Sequence, residues 1–420
     1  MSTTAIATNV RPFLSRWSIP LSGLLLTLMG GISYAWGVFV VPLQEVFGWT
    51  RAQAVLPVSV YLFFFPPIGL LLGGYLQDKY GPRKIASIGG ILFFLAYLMA
   101  SQIERFPYVW WLLLSYGVLG GIGSGFAYCV AVPSARKWFP DRTALAVTVS
   151  VTGFGLAATF FAPWITRLIR TVGIADTFLA LAIVTSSVAL FAAWLQRVPP
   201  AGWVPQGWEG FQAGTSAAMY AARREATLRE ALKSGFFYLQ WLGFFCVIFG
   251  GLMAMAHLVP YGVSILKMEK PAAAVAMVYF GLANGFGRTI AGIIAEKTGP
   301  VQVMLVTYII TGISFLLFNT VVTTPSTLYA CALIFGWGFA VTLGLMPVLT
   351  TVVFGSQNLG AIYGAVKTAF GVAALLGPMA AAWAYDVTQS YALPFAAAGI
   401  LSLVGWCICL AAFRLKYRLP

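Results

Sequence analysis

Charge is the scarcest feature of this sequence. Only 9% of its 420 residues are charged and 60% are apolar, whereas an ordinary soluble domain carries roughly 25% charged and 45 to 50% apolar residues. A water-soluble fold is excluded on that ground. Acidic residues are the rarer sign, 11 against 25 Lys plus Arg, for a formal charge of +14. Such a balance can signal a nucleic-acid partner, but here the cations fall in short clusters between apolar stretches of about 20 residues, each long enough to cross a ~30 Å hydrocarbon layer. The fold class is therefore an all-α membrane protein seated in a lipid bilayer, with no nucleic-acid partner expected.

Other shortages narrow the function. His257 is the only histidine, and every acid lies in a loop or at a span end. The spans thus lack paired carboxylates, His-carboxylate metal clusters and Ser/Cys-His pairs, so no enzyme, metal or cofactor is expected. No nucleotide-binding motif is present to supply energy from ATP. The five cysteines (Cys129, Cys246, Cys331, Cys407, Cys409) sit inside apolar stretches without metal spacing and read as small apolar residues. No short apolar core with a cleavage site follows Arg11 and Arg16, so the first helix is expected to stay in the protein.

Apolar length with Pro, Gly and charge punctuation predicts twelve spans, near 19–43, 54–77, 84–102, 109–133, 144–166, 176–195, 236–261, 271–295, 300–319, 326–351, 358–385 and 390–413. Of the 25 cations, 17 fall on the terminal segments and even-numbered loops. Six (Arg51, Arg105, Arg167, Arg170, Lys267, Lys270) fall on odd-numbered loops, and two, Arg288 and Lys367, fall inside spans. The positive-inside rule then places both termini in the cytoplasm and the chain in the inner (plasma) membrane. The expected units are a first half over 1–195, a cytoplasmic linker over 196–235 and a second half over 236–420. The linker carries Trp203, Trp208 and a helix-compatible run from Thr215 to Lys233, suited to lying along the membrane surface.

An internal repeat is visible. Gly74-Tyr75-Leu76-Gln77-Asp78-Lys79-Tyr80-Gly81-Pro82 and Gly292-Ile293-Ile294-Ala295-Glu296-Lys297-Thr298-Gly299-Pro300 share the pattern G-x-x-x-[D/E]-K-x-G-P at an offset of 218 residues. Val41-Pro42 and Val259-Pro260 keep that offset, and Thr152-Gly153-Phe154-Gly155 matches Thr368-Ala369-Phe370-Gly371 at 216. Two pseudo-symmetric six-helix halves follow, an arrangement suited to alternating access about a central site. Gly117, Gly121 and Gly125, with Gly69 and Gly73, form small-residue stripes for close helix packing.

These residues resemble the major facilitator superfamily, whose signature between spans 2 and 3 matches residues 74–84. Within it the chain resembles the monocarboxylate transporter and oxalate:formate antiporter branch. The features are Ser33-Tyr34-Ala35-Trp36, Lys137-Trp138-Phe139-Pro140-Asp141-Arg142, Val259-Pro260-Tyr261-Gly262, residues 284–288 and Lys367. Animal monocarboxylate transporters carry an Asp where this chain has Asn284 and a Lys where it has Val38, whereas Lys367 resembles the second cation of the bacterial antiporters. The resemblance implies a cavity lined by Tyr34, Tyr128 and Trp337. From sequence alone each of these is equally suited to packing or to facing lipid. It also implies a secondary transporter, not an enzyme, that works as a monomer.

The two buried cations carry the functional argument. Each costs about 2.5 to 3.5 kcal/mol at the bilayer centre, and no acid within the spans offsets it, so an anionic substrate is the expected counter-ion. Span positions put both at similar depth. The repeat-related positions are Leu70 and Val151, so the scaffold itself does not require a charge there. Arg288 offers a fork for a carboxylate and Lys367 a point charge. Asn284, at i−4 from Arg288, is placed to orient the guanidinium or reach the substrate. Proton-coupled uptake of lactate-like or pyruvate-like monocarboxylates is expected, with the proton as co-substrate, and oxalate:formate-type exchange is the alternative. An anion channel and a membrane-embedded enzyme are further rivals. Asp78, Lys79, Arg83, Glu296 and Lys297 are expected to tie helix ends together as a gate, and His257 lies far from the clamp.

Overall fold

A computed structural model describes residues 15–200, 203–205 and 225–418. Arg11, Trp208, Glu209, Arg223, Arg224 and the start of the Thr215 run lie outside the described residues.

Span 1 comprises Ser18–Gly30 and Gly37–Phe47, joined by a 3-10 turn at Gly31–Ala35. Span 2 comprises Arg51–Phe64 and Leu71–Tyr80, joined by a π turn at Phe65–Leu70. Span 3 is Pro82–Ala100 and span 4 runs over Val109–Trp138. Spans 5 and 6 lie within Thr143–Leu195. Spans 7 to 12 are Gly235–Ser264, Lys270–Thr298, Pro300–Leu316, Pro325–Phe354, Leu359–Thr388 and Ala392–Arg418.

Two features differ from the sequence expectation. Span 1 is not one uninterrupted helix. Its 3-10 turn sits where the Cα of Gly31 meets the backbone of Phe154 so closely that a Cβ would have no room, and the Gly30 carbonyl accepts from the Tyr61 hydroxyl at 2.9 Å. The loop expected between spans 5 and 6 shrinks to one residue, Gly173, whose φ of +85 interrupts an otherwise helical run. Only glycine adopts such a φ without strain.

The Gly-Pro pairs of the repeat explain the corners on the basic face. Gly81 and Gly299 have φ of +89 and +90, which ends spans 2 and 8. Pro82 and Pro300 then open spans 3 and 9 at the first helical position, where a missing N–H costs nothing.

Packing repeats with the sequence. Span 1 lies along span 5 and span 7 along span 11, while span 3 packs on span 6 and span 9 on span 12. The halves meet where span 2 crosses span 11 and span 8 crosses span 5. Small residues permit these crossings, and the close approach of spans 2 and 4 within the first half. A Cβ on Gly125 would fall on the backbone of Gly69, one on Gly74 on the carbonyl of Gly360, and one on Gly292 on the Thr148 side chain. Gly125→Val therefore forces spans 2 and 4 apart at an expected cost of about 3 kcal/mol or more, to be measured as a lowered thermal midpoint in detergent. An unchanged midpoint would contradict the close packing.

Candidate functional site

The two span-buried cations meet at the seam between the halves. Arg288 is 1% exposed and Lys367 2%, and each lies within the electrostatic field of the other. No acid is among the hydrogen-bond partners of either residue in the described structure.

Arg288 is held by neutral acceptors. Its Nη1 donates to the Val151 carbonyl at 2.7 Å, and its Nη2 and Nε donate to the Asn284 Oδ1 at 3.1 and 3.3 Å. A guanidinium has five N–H donors, so these three bonds leave one N–H on each Nη without a partner among the hydrogen bonds above, available to an oxygen of a carboxylate. Asn284 reaches the guanidinium because it stands one helical turn earlier on span 8. Val151, the repeat partner of Lys367, contributes only its backbone oxygen, so the first half braces a charge carried by the second. Beside it, the Thr152 and Thr289 hydroxyls bond across the seam at 2.9 Å.

Lys367 repeats the same i−4 device on span 11. Its Nζ donates to the Tyr363 hydroxyl at 3.3 Å. It also lies over the rings of Tyr128, Phe370, Tyr363 and Phe244 at 4.9, 5.3, 5.6 and 5.8 Å from their centroids. Aromatic faces attract a cation, but they do not accept its protons as strongly as water does. The ammonium is therefore caged with spare donors.

Tyr34 occupies the 3-10 turn of span 1 and packs edge-on against Phe154, which also meets Tyr128 and Phe65. Tyr34, Tyr128 and Tyr363 all lie within the field of the Arg288 charge. Trp337 sits differently. Its indole N–H donates to Thr307 of span 9 at 3.2 Å, and its ring lies against Gly287, so its polar end points into the second half. His257 is also remote from the cations, with Nε2 at 3.0 Å from the Pro378 carbonyl and its ring near Tyr391. Tyr363 was missed by sequence reasoning, although its i−4 spacing from Lys367 mirrors that of Asn284 from Arg288. The Val151 carbonyl left no signal, because a backbone oxygen carries none.

The repeat loops form two cross-half latches on the basic face. Asp78 accepts the Ala361 N–H at 3.0 Å at the start of span 11, and Glu296 accepts the Leu145 N–H at 3.0 Å at the start of span 5. The carboxylates are 218 residues apart and the amides 216, the offsets of the internal repeat. Both acids sit at helix N-termini, where unpaired amides and the helix dipole favour negative charge. Arg83 instead donates to the Trp194 carbonyl at 2.7 Å, within the first half. Lys79 lies over the Tyr80 ring and Lys297 is exposed. On the opposite face Gly37, Val41 and Glu45 form an exposed stripe on span 1.

Two six-helix halves, latched at one face around a polar centre, define a membrane carrier rather than an enzyme. The chain belongs to the Major Facilitator Superfamily, whose family description matches residues 21–279 and 241–420. It is similar to the oxalate:formate antiporter of Oxalobacter formigenes, with 26% identity over 369 residues, 86% of this chain and 83% of that protein. Similarity to monocarboxylate transporter 14 of Homo sapiens is also 26%, covering 93% and 88% of the two chains. Among solved structures, the proton:xylose symporter XylE superposes with a TM-score of 0.71 at 15% identity, covering 94% of this chain and 95% of that one. The transporter FucP in its outward conformation superposes with a TM-score of 0.64 at 14% identity, covering 94% and 99%.

Asp78→Asn and Glu296→Gln each remove the charge from one latch, worth about 1 to 2 kcal/mol of closure, or roughly a 5- to 30-fold population shift. Spin labels at Tyr80 and Thr298, both exposed on the basic face, should report a new long-distance population in each variant. Distance distributions identical to the parent would show that the latches do not hold the face shut.

Proposed function

We propose that this transporter carries small carboxylate anions by alternating access, with Arg288 and Lys367 as the anion clamp and Asn284 and Tyr363 as their supports. The supporting observation is that two fully buried cations retain unused N–H donors and have no carboxylate among their described partners. Tyr34 and Tyr128 line the same space and supply hydroxyls. Trp337 is assigned to packing behind span 8. In this reading the basic face is cytoplasmic, the latched state faces outward, and the first half (1–195) and second half (236–420) rock about the site as a monomer in the plasma membrane.

Monocarboxylates of the lactate or pyruvate type are the first substrates to test, with a proton as candidate co-substrate. The presence of two cations, where one would suffice for a single carboxylate, favours a second reading: exchange of a dicarboxylate for a monocarboxylate. The antiporter relative supports that reading and the animal relative supports the first.

Uptake of radiolabelled lactate, formate and oxalate into proteoliposomes, with and without an imposed pH gradient, separates them. Acceleration by an inward proton gradient supports symport, and acceleration by internal substrate supports exchange. Arg288→Lys keeps the charge and loses the planar fork, so transport should fall about 10- to 100-fold, in line with the loss of a charge-assisted hydrogen bond. Near-normal uptake would overturn the clamp.

Lys367→Thr should harm a dicarboxylate more than lactate if the ammonium neutralises a second carboxylate. Measured KM values that rise equally for both would remove Lys367 from substrate charge recognition.

A further inference from the structure

The linker ends on the second half through a carboxylate that the transport cycle described above does not use. Glu225 accepts the Ser356 and Gln357 backbone N–H groups, each at 2.8 Å, and the Ser356 hydroxyl at 3.3 Å. Next to it, the Ala226 N–H donates to the Phe354 carbonyl at 2.9 Å, and the Asn358 amide donates to the Ala226 carbonyl at 3.0 Å. The loop between spans 10 and 11 is thereby stitched to residues 225–226 along its whole length. Gly355 makes room for this seat. Its φ is +89, and a Cβ there would fall on the Glu225 carboxylate. A capping box between Thr227 and Glu230 then starts the short helix Leu228–Lys233, which leads into span 7.

Four residues beyond the Gln357 amide, span 11 presents the Ala361 N–H to Asp78. The linker carboxylate and the gate carboxylate therefore act on the same helix start, one on the loop before it and one on its first turn. A cleft beside that helix start is lined by Asp78, Lys79, Thr227, Arg229 and Asn358.

We propose that Glu225 is a positioning residue of the gate: by pinning the loop before span 11, it holds the Ala361 amide where Asp78 takes it, and so favours the state closed at the basic face. The effect is local rather than a pull through the linker. Trp203, at the other end, packs on Trp138 of the first half at 4.7 Å. The first half has its own brace, with different chemistry. Arg16, just before span 1, forms a two-pronged ion pair with Asp141 in the loop between spans 4 and 5, at 2.7 and 2.8 Å.

The test uses the full chain in proteoliposomes with the five native cysteines replaced by alanine and a reporter at Gly37→Cys. That position is exposed one turn beyond Tyr34 on span 1, toward the side opposite the latches, and a Cβ there meets open space. Labelling by a membrane-impermeant maleimide reads the fraction of carriers open to that face and needs no knowledge of the substrate. Glu225→Gln should slow labelling at least threefold with little change in thermal midpoint, and Gly355→Ala, which occupies the same seat, should do likewise. Asp78→Asn should slow it too, and adding Glu225→Gln to Asp78→Asn should slow it no further. Unchanged or faster labelling in both Glu225→Gln and Gly355→Ala would overturn the proposal, as would a full additive effect on top of Asp78→Asn. A fall in thermal midpoint at unchanged labelling would assign Glu225 to stability alone.

Discussion

Two positive charges in the middle of an apolar bundle, with no acid among their described partners, are the constraint around which this protein is arranged. Leaving such charges unsolvated is costly, and the protein limits the cost with dipoles and rings rather than with counter-charges. Arg288 takes a side-chain amide and a peptide carbonyl, and Lys367 takes a phenol and aromatic faces. Each device compensates partially and leaves donors over. A carboxylate at Asn284 or Tyr363 would offset one of the two charges, whereas neutral partners leave both available to the anion proposed as substrate.

The constraint also explains where symmetry is kept and where it is broken. At the latches the halves are equivalent: Asp78 and Glu296 cap the starts of spans 11 and 5, and Gly74 and Gly292 allow the crossings beneath them. At the centre they are not. Leu70 and Val151 stand where the second half has Arg288 and Lys367, and the first half answers with a backbone oxygen and with Tyr34 and Tyr128. A symmetric gate suits a motion that rocks one half against the other, and an asymmetric centre suits a ligand that has no symmetry to match.

The interfaces that must separate in such a motion are built accordingly. On the basic face they rely on glycine backbone contacts and single carboxylate-to-amide bonds, which can break and re-form without repacking large side chains. Within each half, aromatic stacks such as Phe315 on Phe335 at 3.9 Å and Phe318 on Phe395 at 3.8 Å give rigid bodies to move.

Much of this was legible in the sequence because the bilayer makes the code simple. Long apolar runs mark the spans, Gly-Pro pairs mark their corners, the repeated loop declares the two halves, and a Lys or Arg inside a span stands out against its surroundings. Spacing along one helix was legible too, since Asn284 at i−4 meets Arg288 as geometry requires. What the tertiary structure alone decided are the contacts between residues far apart in the chain: Val151 with Arg288, Thr152 with Thr289, Glu225 with Ser356 and Gln357, and the turning of Trp337 toward Thr307 rather than toward the charges. These depend on the rotation of each helix about its axis and on backbone groups that every residue carries alike. Hydropathy reports only that a segment is buried in lipid or protein, so it fixes neither which face of a helix meets the other half nor which peptide carbonyl a buried cation finds.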